Sequence, residues 1–498
     1  MTGKHRPFEG RPSVADLQRA AQPNTRPPNS VDHTPDIADA TAGLNHQERR
    51  AVLWGTIFRV VGTPVVALLG LLNTAIIVKQ TGEGVFGVVS LIATMSLLFP
   101  FADLGIGAVV TNASSRAGKL ADDNLAINTI RRAYRVLGMV AAGIMVAALA
   151  VMKLDWWGAA IGLTTGPQDR YVITIAACIF ALSLPAGLGI RILIGIDKNQ
   201  WAVLILMTNS AFALATTAAL MLGGVHGIWY ALPGVIGVLV GNVLGTVVAL
   251  RASGLGRAVF ALPVPQANGP KLLAGSLWMF VASVGLPLGL QSHRIILSHL
   301  STPAELSRYS LMAQLYAVAW SVFSTAGMAY WPVFVKRRGE HAETIRMWRN
   351  IIGAFMAASV VAAIGITALG PWATSILSSG EVQTTTQLAF AFGLLLLVQC
   401  VHLPSGVLLT APSEMRWQAY CIIVMALLSI AGGMVVAREE GAAGVVLAAA
   451  VAVFVAQIVP DFVCVPRIVR RRPPTSGRPR PPTPERFDTA DTVEILLR

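Results

Sequence analysis

The sequence predicts an all-α polytopic membrane protein of about twelve transmembrane helices in two six-helix bundles. Three observations carry that reading. Of 498 residues, 54% are hydrophobic and only 13% charged, with a mean hydropathy of +0.63, whereas soluble domains carry about a quarter charged residues. The apolar residues come in blocks of roughly 20 to 29 with neither helical nor alternating polarity, long enough to cross ~30 Å of hydrocarbon at 1.5 Å per residue. Finally, Lys and Arg concentrate in the connections that would share one side of the membrane.

In chain order, residues 1–50 are polar, interspersed with Pro, Asn, Asp and Arg, and read as a disordered tail. No apolar run near Met1 reads as a cleaved signal, so insertion is expected to begin with the first span. A first bundle, 51–251, holds spans at 52–78, 84–110, 133–152, 171–195, 201–222 and 227–250. A cytoplasmic linker, 252–270, leads to a second bundle, 271–466, with spans at 271–300, 305–335, 350–370, 386–411, 414–437 and 440–466. The stretch 467–498 is a basic, Pro-rich tail whose Arg467 to Arg472 can rest on anionic lipid or simply anchor the last span.

Twelve spans place both tails on one side. With that side cytoplasmic, about 31 of the 38 Lys and Arg lie inside, about six outside, and Arg59 within a span. A register error would scramble the asymmetry, so it predicts a multi-pass protein of the plasma (inner) membrane with both termini in the cytoplasm. The same dispersal of cations excludes a nucleic-acid-binding face.

The two bundles repeat one another. Val61-Gly62-Thr63-Pro64 recurs as Val284-Gly285-Leu286-Pro287 at an offset of 223, and Leu184-Pro185-Ala186-Gly187 as Leu403-Pro404-Ser405-Gly406 at 219. Six spans repeated in parallel is a transporter pattern with the cargo cavity between bundles. Pro64, Pro185, Pro287 and Pro404 are the candidate bends about which the bundles move.

No GxSxG, P-loop, HExxH or dinucleotide-binding glycine pattern is present, and nothing calls for a cofactor or a metal. The longest outer connection, 153–170, is too short for a catalytic domain. The remaining chemistry is polar groups inside the membrane, where an ionisable residue costs a few kcal/mol and is a functional candidate by default. Arg59 and Arg191 each suit bidentate binding of a phosphate. Asp103 lies at the depth of Arg59 and would pair with it in a structural role, and Arg191 could instead snorkel to the surface. His293 and Arg294 interrupt the apolar run of the seventh span, so Arg294 either needs an aqueous cavity or a partner within the membrane or anchors the span at the periplasmic interface. His402 reads as an interhelical hydrogen-bonding residue in preference to a proton carrier, and Asn73, Asn209, Asn242 and Gln399 read as packing residues rather than ligands.

Two stretches then carry a resemblance. Thr81-Gly82-Glu83-Gly84-Val85-Phe86-Gly87 followed by Asp103-Leu104-Gly105-Ile106-Gly107, and His293-Arg294-Ile295-Ile296-Leu297 through Arg308-Tyr309-Ser310, resemble bacterial polysaccharide and O-antigen flippases. These belong to the multidrug/oligosaccharidyl-lipid/polysaccharide (MOP) exporter superfamily, and the resemblance spans residues 50 to 466. It implies a MATE-like fold whose V-shaped cavity opens alternately to either side. The implied cargo is an oligosaccharide linked to a polyprenyl diphosphate, and the implied partners are membrane lipids and polysaccharide polymerase or assembly proteins. Many relatives carry Asp immediately before that Arg where this chain has His293, so no acidic coupling group carries over to this position. An ion-coupled multidrug antiporter shares the fold, but its relatives depend on buried carboxylates and Leu53 to Val78 contains none. A membrane polysaccharide polymerase or ligase would need a larger outer loop.

Overall fold

In the computed structural model, residues 46–93, 106–116, 120–162, 166–261, 277–337, 339–410 and 412–472 are described. Tail residues 1–45 and 473–498, linker residues 262–270, the start of the seventh span and Asp103 lie outside them, as do the side chains of Arg59 and Pro64. The chain separates into Met1–Arg50 and Ala51–Arg498. The larger unit holds the spans, and its described residues are helical or in turns, with no strand among them.

The first span and the start of the second form one helical stretch, His46–Ala93, that folds back at Gly82 (φ 71°). Only glycine takes that backbone conformation without a steric cost. The second span resumes as Ile106–Arg116. The third is Asn124–Lys153, whose Asp123 cap accepts hydrogen bonds from the amides of Leu125 and Ala126 at 2.9 Å, satisfying two free N–H groups of its first turn. A short helix, Trp157–Ile161, precedes the fourth span, which runs Pro167–Ala186 and, after a step at Gly187, Leu188–Gly195. The fifth and sixth are Asn199–Leu222 and Leu232–Ser253.

The second half follows the same order. Leu277–Gln291 and His293–Leu300, stepped at Ser292, form the seventh span; Pro303–Ala329 and Trp331–Lys336 form the eighth. His341–Leu377 and Thr386–Leu408 are the ninth and tenth, the latter capped by the Thr385 hydroxyl. Pro412–Val453 holds the eleventh span and folds back at Gly441 (φ 56°) into the twelfth. That span continues through a π-helical step, Phe454–Ile458, to Val459–Arg470. Eight helical stretches among the described residues are long and apolar enough to cross a membrane, two of them folded at Gly82 and Gly441. Leu68, Val146, Val361, Ile364 and Val435 are all exposed, as lipid-facing side chains should be, since hydrocarbon rather than water is their solvent.

Helix pairing follows the repeat. The third span packs on the fourth as the ninth does on the tenth, the second on the fourth as the eighth on the tenth, and the second on the third as the eighth on the ninth. Gly62 lies against Met207 of the fifth span, and its repeat partner Gly285 lies against Ile422 of the eleventh. The short motif matches therefore mark real positional equivalence: each glycine admits the same neighbouring helix. The two lobes meet where the Gly82 and Gly441 turns lie, here the hairpin end. There one apolar core joins Ile77, Phe86 and Trp157 of the first lobe to Leu297, Leu306 and Tyr309 of the second. Toward the opposite, basic end the first lobe keeps a separate core that includes Ile106, Ile130, Leu188 and Ala249.

Of the proline-marked positions, the fourth span is broken two residues after Pro185 and the seventh five residues after Pro287. Helix runs uninterrupted past Pro64 and Pro404. The sequence repeats the proline in both lobes, but of each repeated pair only one proline is followed by a step in the helix.

Candidate functional site

Arg294 is the second residue of the hairpin-end segment of the seventh span, His293–Leu300, and is 7% exposed. Its Nη1 donates to Oε1 of Gln291 at 2.7 Å, and its guanidinium lies 5.3 Å from the centre of the Tyr309 ring. Nε is buried and has no partner among the described residues, and Arg294 forms no ion pair among them. A cation taken out of water without a carboxylate opposite is costly. The arrangement holds an unmet demand for an anion.

His293 is fully enclosed beside it. Its Nε2 lies 3.0 Å from Oγ of Ser429 on the eleventh span, and its Nδ1 lies 3.2 Å from the Tyr309 hydroxyl. Ser429 donates its one proton to the Gly289 carbonyl at 2.7 Å. His293 Nε2 must therefore be the donor to Ser429, and a neutral ring is completed by accepting the Tyr309 hydroxyl at Nδ1. Both nitrogens are thus engaged inside the lobe. His293 ties the seventh, eighth and eleventh spans together and holds the helix turn from which Arg294 projects.

At the hairpin end Arg308, at the start of the eighth span, crosses between lobes. Its Nε lies 3.2 Å from Glu83 Oε1 in the first-lobe turn, and its Nη1 lies 2.9 Å from Glu305 Oε1. Glu305 in turn accepts the Ala442 amide at 2.8 Å, engaging the turn between the last two spans. Ser307 Oγ donates to the Glu83 carbonyl, and His299 Nε2 lies 3.0 Å from the Ala159 carbonyl of the short first-lobe helix. These bonds latch the lobes together just beyond Arg294.

Other expected residues fall elsewhere. Arg191 is half-buried in the fourth span and its carbonyl accepts from Thr111 at 3.3 Å, remote from Arg294 in the first lobe. His402 does hydrogen-bond between helices: its Nδ1 lies 2.7 Å from Oδ2 of Asp461 on the twelfth span. Asp461 escaped the reading of the sequence, although a carboxylate within an apolar block is the signal that marks such a group. The Arg59 side chain and Asp103 lie outside the described residues, so their pairing does not enter the geometry.

The model of a polysaccharide biosynthesis protein family matches residues 52–338, more than half of the chain. No curated protein matches it by sequence. Among solved structures, the chain is similar to the inward-facing form of a multidrug resistance MATE family transporter of the MOP superfamily. The TM-score is 0.68 and the identity 14%, covering 85% of this chain and 100% of that one. The outward-facing form of such a transporter gives a TM-score of 0.55 and 12% identity, over 85% and 97%. The lipid II flippase MurJ, in an inward closed conformation, gives 0.58 and 14%, over 82% and 87%. At these identities the likeness establishes the fold, that of MOP-superfamily transporters.

Proposed function

Since the chain belongs to the polysaccharide biosynthesis protein family, we propose that it is a flippase. Its cargo on this reading is an oligosaccharide linked to a polyprenyl diphosphate, moved from the cytoplasmic to the outer face of the plasma membrane by alternating access. The observation that carries the reading is Arg294, a buried guanidinium within a membrane span with no carboxylate paired to it among the described residues. A diphosphate-linked sugar cannot enter hydrocarbon unaided, because its charges and hydroxyls would lose their water. A guanidinium replaces part of that hydration by two parallel hydrogen bonds to phosphate, while the polyprenyl tail stays in lipid between the lobes.

The latch at the hairpin end and the higher TM-score with the inward-facing transporter support a state closed at that end. With the basic end cytoplasmic, this is the state that receives cargo from the cytoplasm. Polysaccharide polymerase or assembly proteins would take over the delivered repeat unit. The deciding measurement is the sidedness of labelled lipid-linked oligosaccharide in membrane vesicles from a deletion strain. The repeat unit is expected to remain on the cytoplasmic leaflet; normal outward delivery would overturn the flippase reading in favour of the multidrug antiporter of the same fold.

Orientation has its own test. Reporter fusions after Arg338, in a basic connection, and after Gly380, in a connection at the hairpin end, are expected to report opposite sides, the first cytoplasmic. A shared side would dismiss the topology.

A further inference from the structure

The polar groups of the membrane interior are distributed unequally between the two lobes. At the offset of 223, His293, Arg294 and Tyr309 correspond to Gly70, Leu71 and Phe86; at 219, Gln399 and His402 correspond to Phe180 and Ser183. The second lobe bears titratable chemistry where the first has apolar or small side chains. Part of it belongs to the Arg294 site. His402 and Asp461, toward the basic end, do not.

His402 lies six residues before the end of Thr386–Leu408, and Asp461 nine before the end of Val459–Arg470, so they are about 9 Å and about 14 Å along their helices from the basic end. The histidine side chain is 18% exposed and the aspartate 8%. Asp461 follows the π-helical step Phe454–Ile458 by three residues. Such steps carry a less regular hydrogen-bond ladder and recur at sites where helices rearrange. In this one Gln457 is 1% exposed, and its Nε2 has no partner among the described residues.

Among the described residues neither side chain has an ion pair other than the one they share. On the eleventh span Cys421 is buried, and Cys464 lies on the same helix as Asp461. The ninth span presents Trp348, whose Nε1 donates to Ser405 and whose ring lies 5.8 Å from that of Phe462, while its Arg346 and Arg349 are exposed. The eighth span contributes Tyr316, which donates to Gln399 one turn from His402. At the basic end Glu414 is bonded to Arg472 at 2.7 Å, and Arg467 and Arg470 are exposed.

We propose that His402 and Asp461 form a proton-binding site, loaded from the basic end, whose occupancy sets the balance between the two access states of the transporter. The proposal rests on the transport reading above. With one proton shared between them the pair is neutral in net charge; without it a carboxylate is left in a low-dielectric interior, where its charge is costly. The proton moves from water at the basic end to the imidazole and returns to water, and no other bond forms or breaks. A change of one charge beside the π-helical step gives the twelfth span two arrangements that protonation can bias.

The test uses the full chain in lipid nanodiscs, with spin labels introduced as genetically encoded residues at Leu154 and Gln383, exposed at the hairpin end of opposite lobes. Distances between them are measured from about pH 5 to about pH 8, the range in which histidine changes charge. The ratio of short to long distances is expected to change with pH in the wild type, by at most about tenfold per pH unit for one proton. In His402→Gln and Asp461→Asn, which keep the shape and hydrogen bonding of each side chain, the ratio should become independent of pH. A wild-type ratio that does not move with pH, or variants that titrate like the wild type, would overturn the proposal and reduce the pair to a structural tie. Because the readout is distance rather than cargo, failure here would leave the flippase reading standing, and failure of the vesicle assay would leave this site standing.

Discussion

Arg294→Ala is expected to cut outward delivery of the lipid-linked repeat unit by roughly a hundredfold or more while leaving the folded protein at least as stable as the wild type. The first half follows from the loss of two charge-assisted hydrogen bonds to a diphosphate, about 1.5 kcal/mol or more each, where 1.4 kcal/mol is tenfold. The second half separates a binding role from a structural one. Removing one member of a buried ion pair strands the other charge and destabilises by several kcal/mol, but Arg294 has no such partner among the described residues, and its removal costs only the Gln291 hydrogen bond and the contact with the Tyr309 ring. Arg294→Lys keeps the charge and forfeits the two-point geometry, so it should restore delivery only in part. Sidedness assays and thermal unfolding on the same membranes check both halves. A variant that unfolds at markedly lower temperature, or that delivers cargo normally, would contradict the assignment.

Arg308→Glu is expected to shift the molecule toward opening at its hairpin end by roughly tenfold. The wild-type bridges from Arg308 to Glu83 and Glu305 involve side chains 25 to 31% exposed, so solvent weakens them to about 1 kcal/mol or less. Charge reversal does more than remove them, because it sets a third carboxylate against the two already there, and about 1.4 kcal/mol suffices for tenfold. Adding Glu83→Arg should recover most of the closed population, though Glu305 would still lack its partner. The distance between labels at Leu154 and Gln383 reads the shift, and an unaltered distribution in Arg308→Glu would remove the latch from the mechanism.

Hydropathy made the membrane-spanning helices legible because hydrocarbon imposes a length and a composition on each one. The Gly82 turn was legible as well, since Thr81-Gly82-Glu83-Gly84 breaks an apolar run with the residue that left-handed backbone favours. The partners were not. His402 reads as an interhelical residue from its own helix, but its mate lies 59 positions away on a helix that meets it only in the fold. The engagement of His293 escapes for the same reason: the proton count that fixes it needs Ser429, which is 136 residues away. Arg294 was visible as an oddity in an apolar run, and only packing shows that, among the described residues, it has Gln291 and Tyr309 beside it rather than a carboxylate.

The placement of the shared apolar core has a mechanical consequence. The lobes are joined by that core at the hairpin end, and the third span alone, Asn124–Lys153, extends 30 residues from one end toward the other, about 45 Å at 1.5 Å per residue. A rotation of about 10° with its fulcrum in the core would displace side chains ~5 Å from the fulcrum by about 1 Å, within the range that packed interfaces accommodate. The same rotation would carry the far end of that helix by about 8 Å. The long helices thus act as lever arms, and a gap wide enough for a sugar at one end requires only a slight slip of methyl groups at the other.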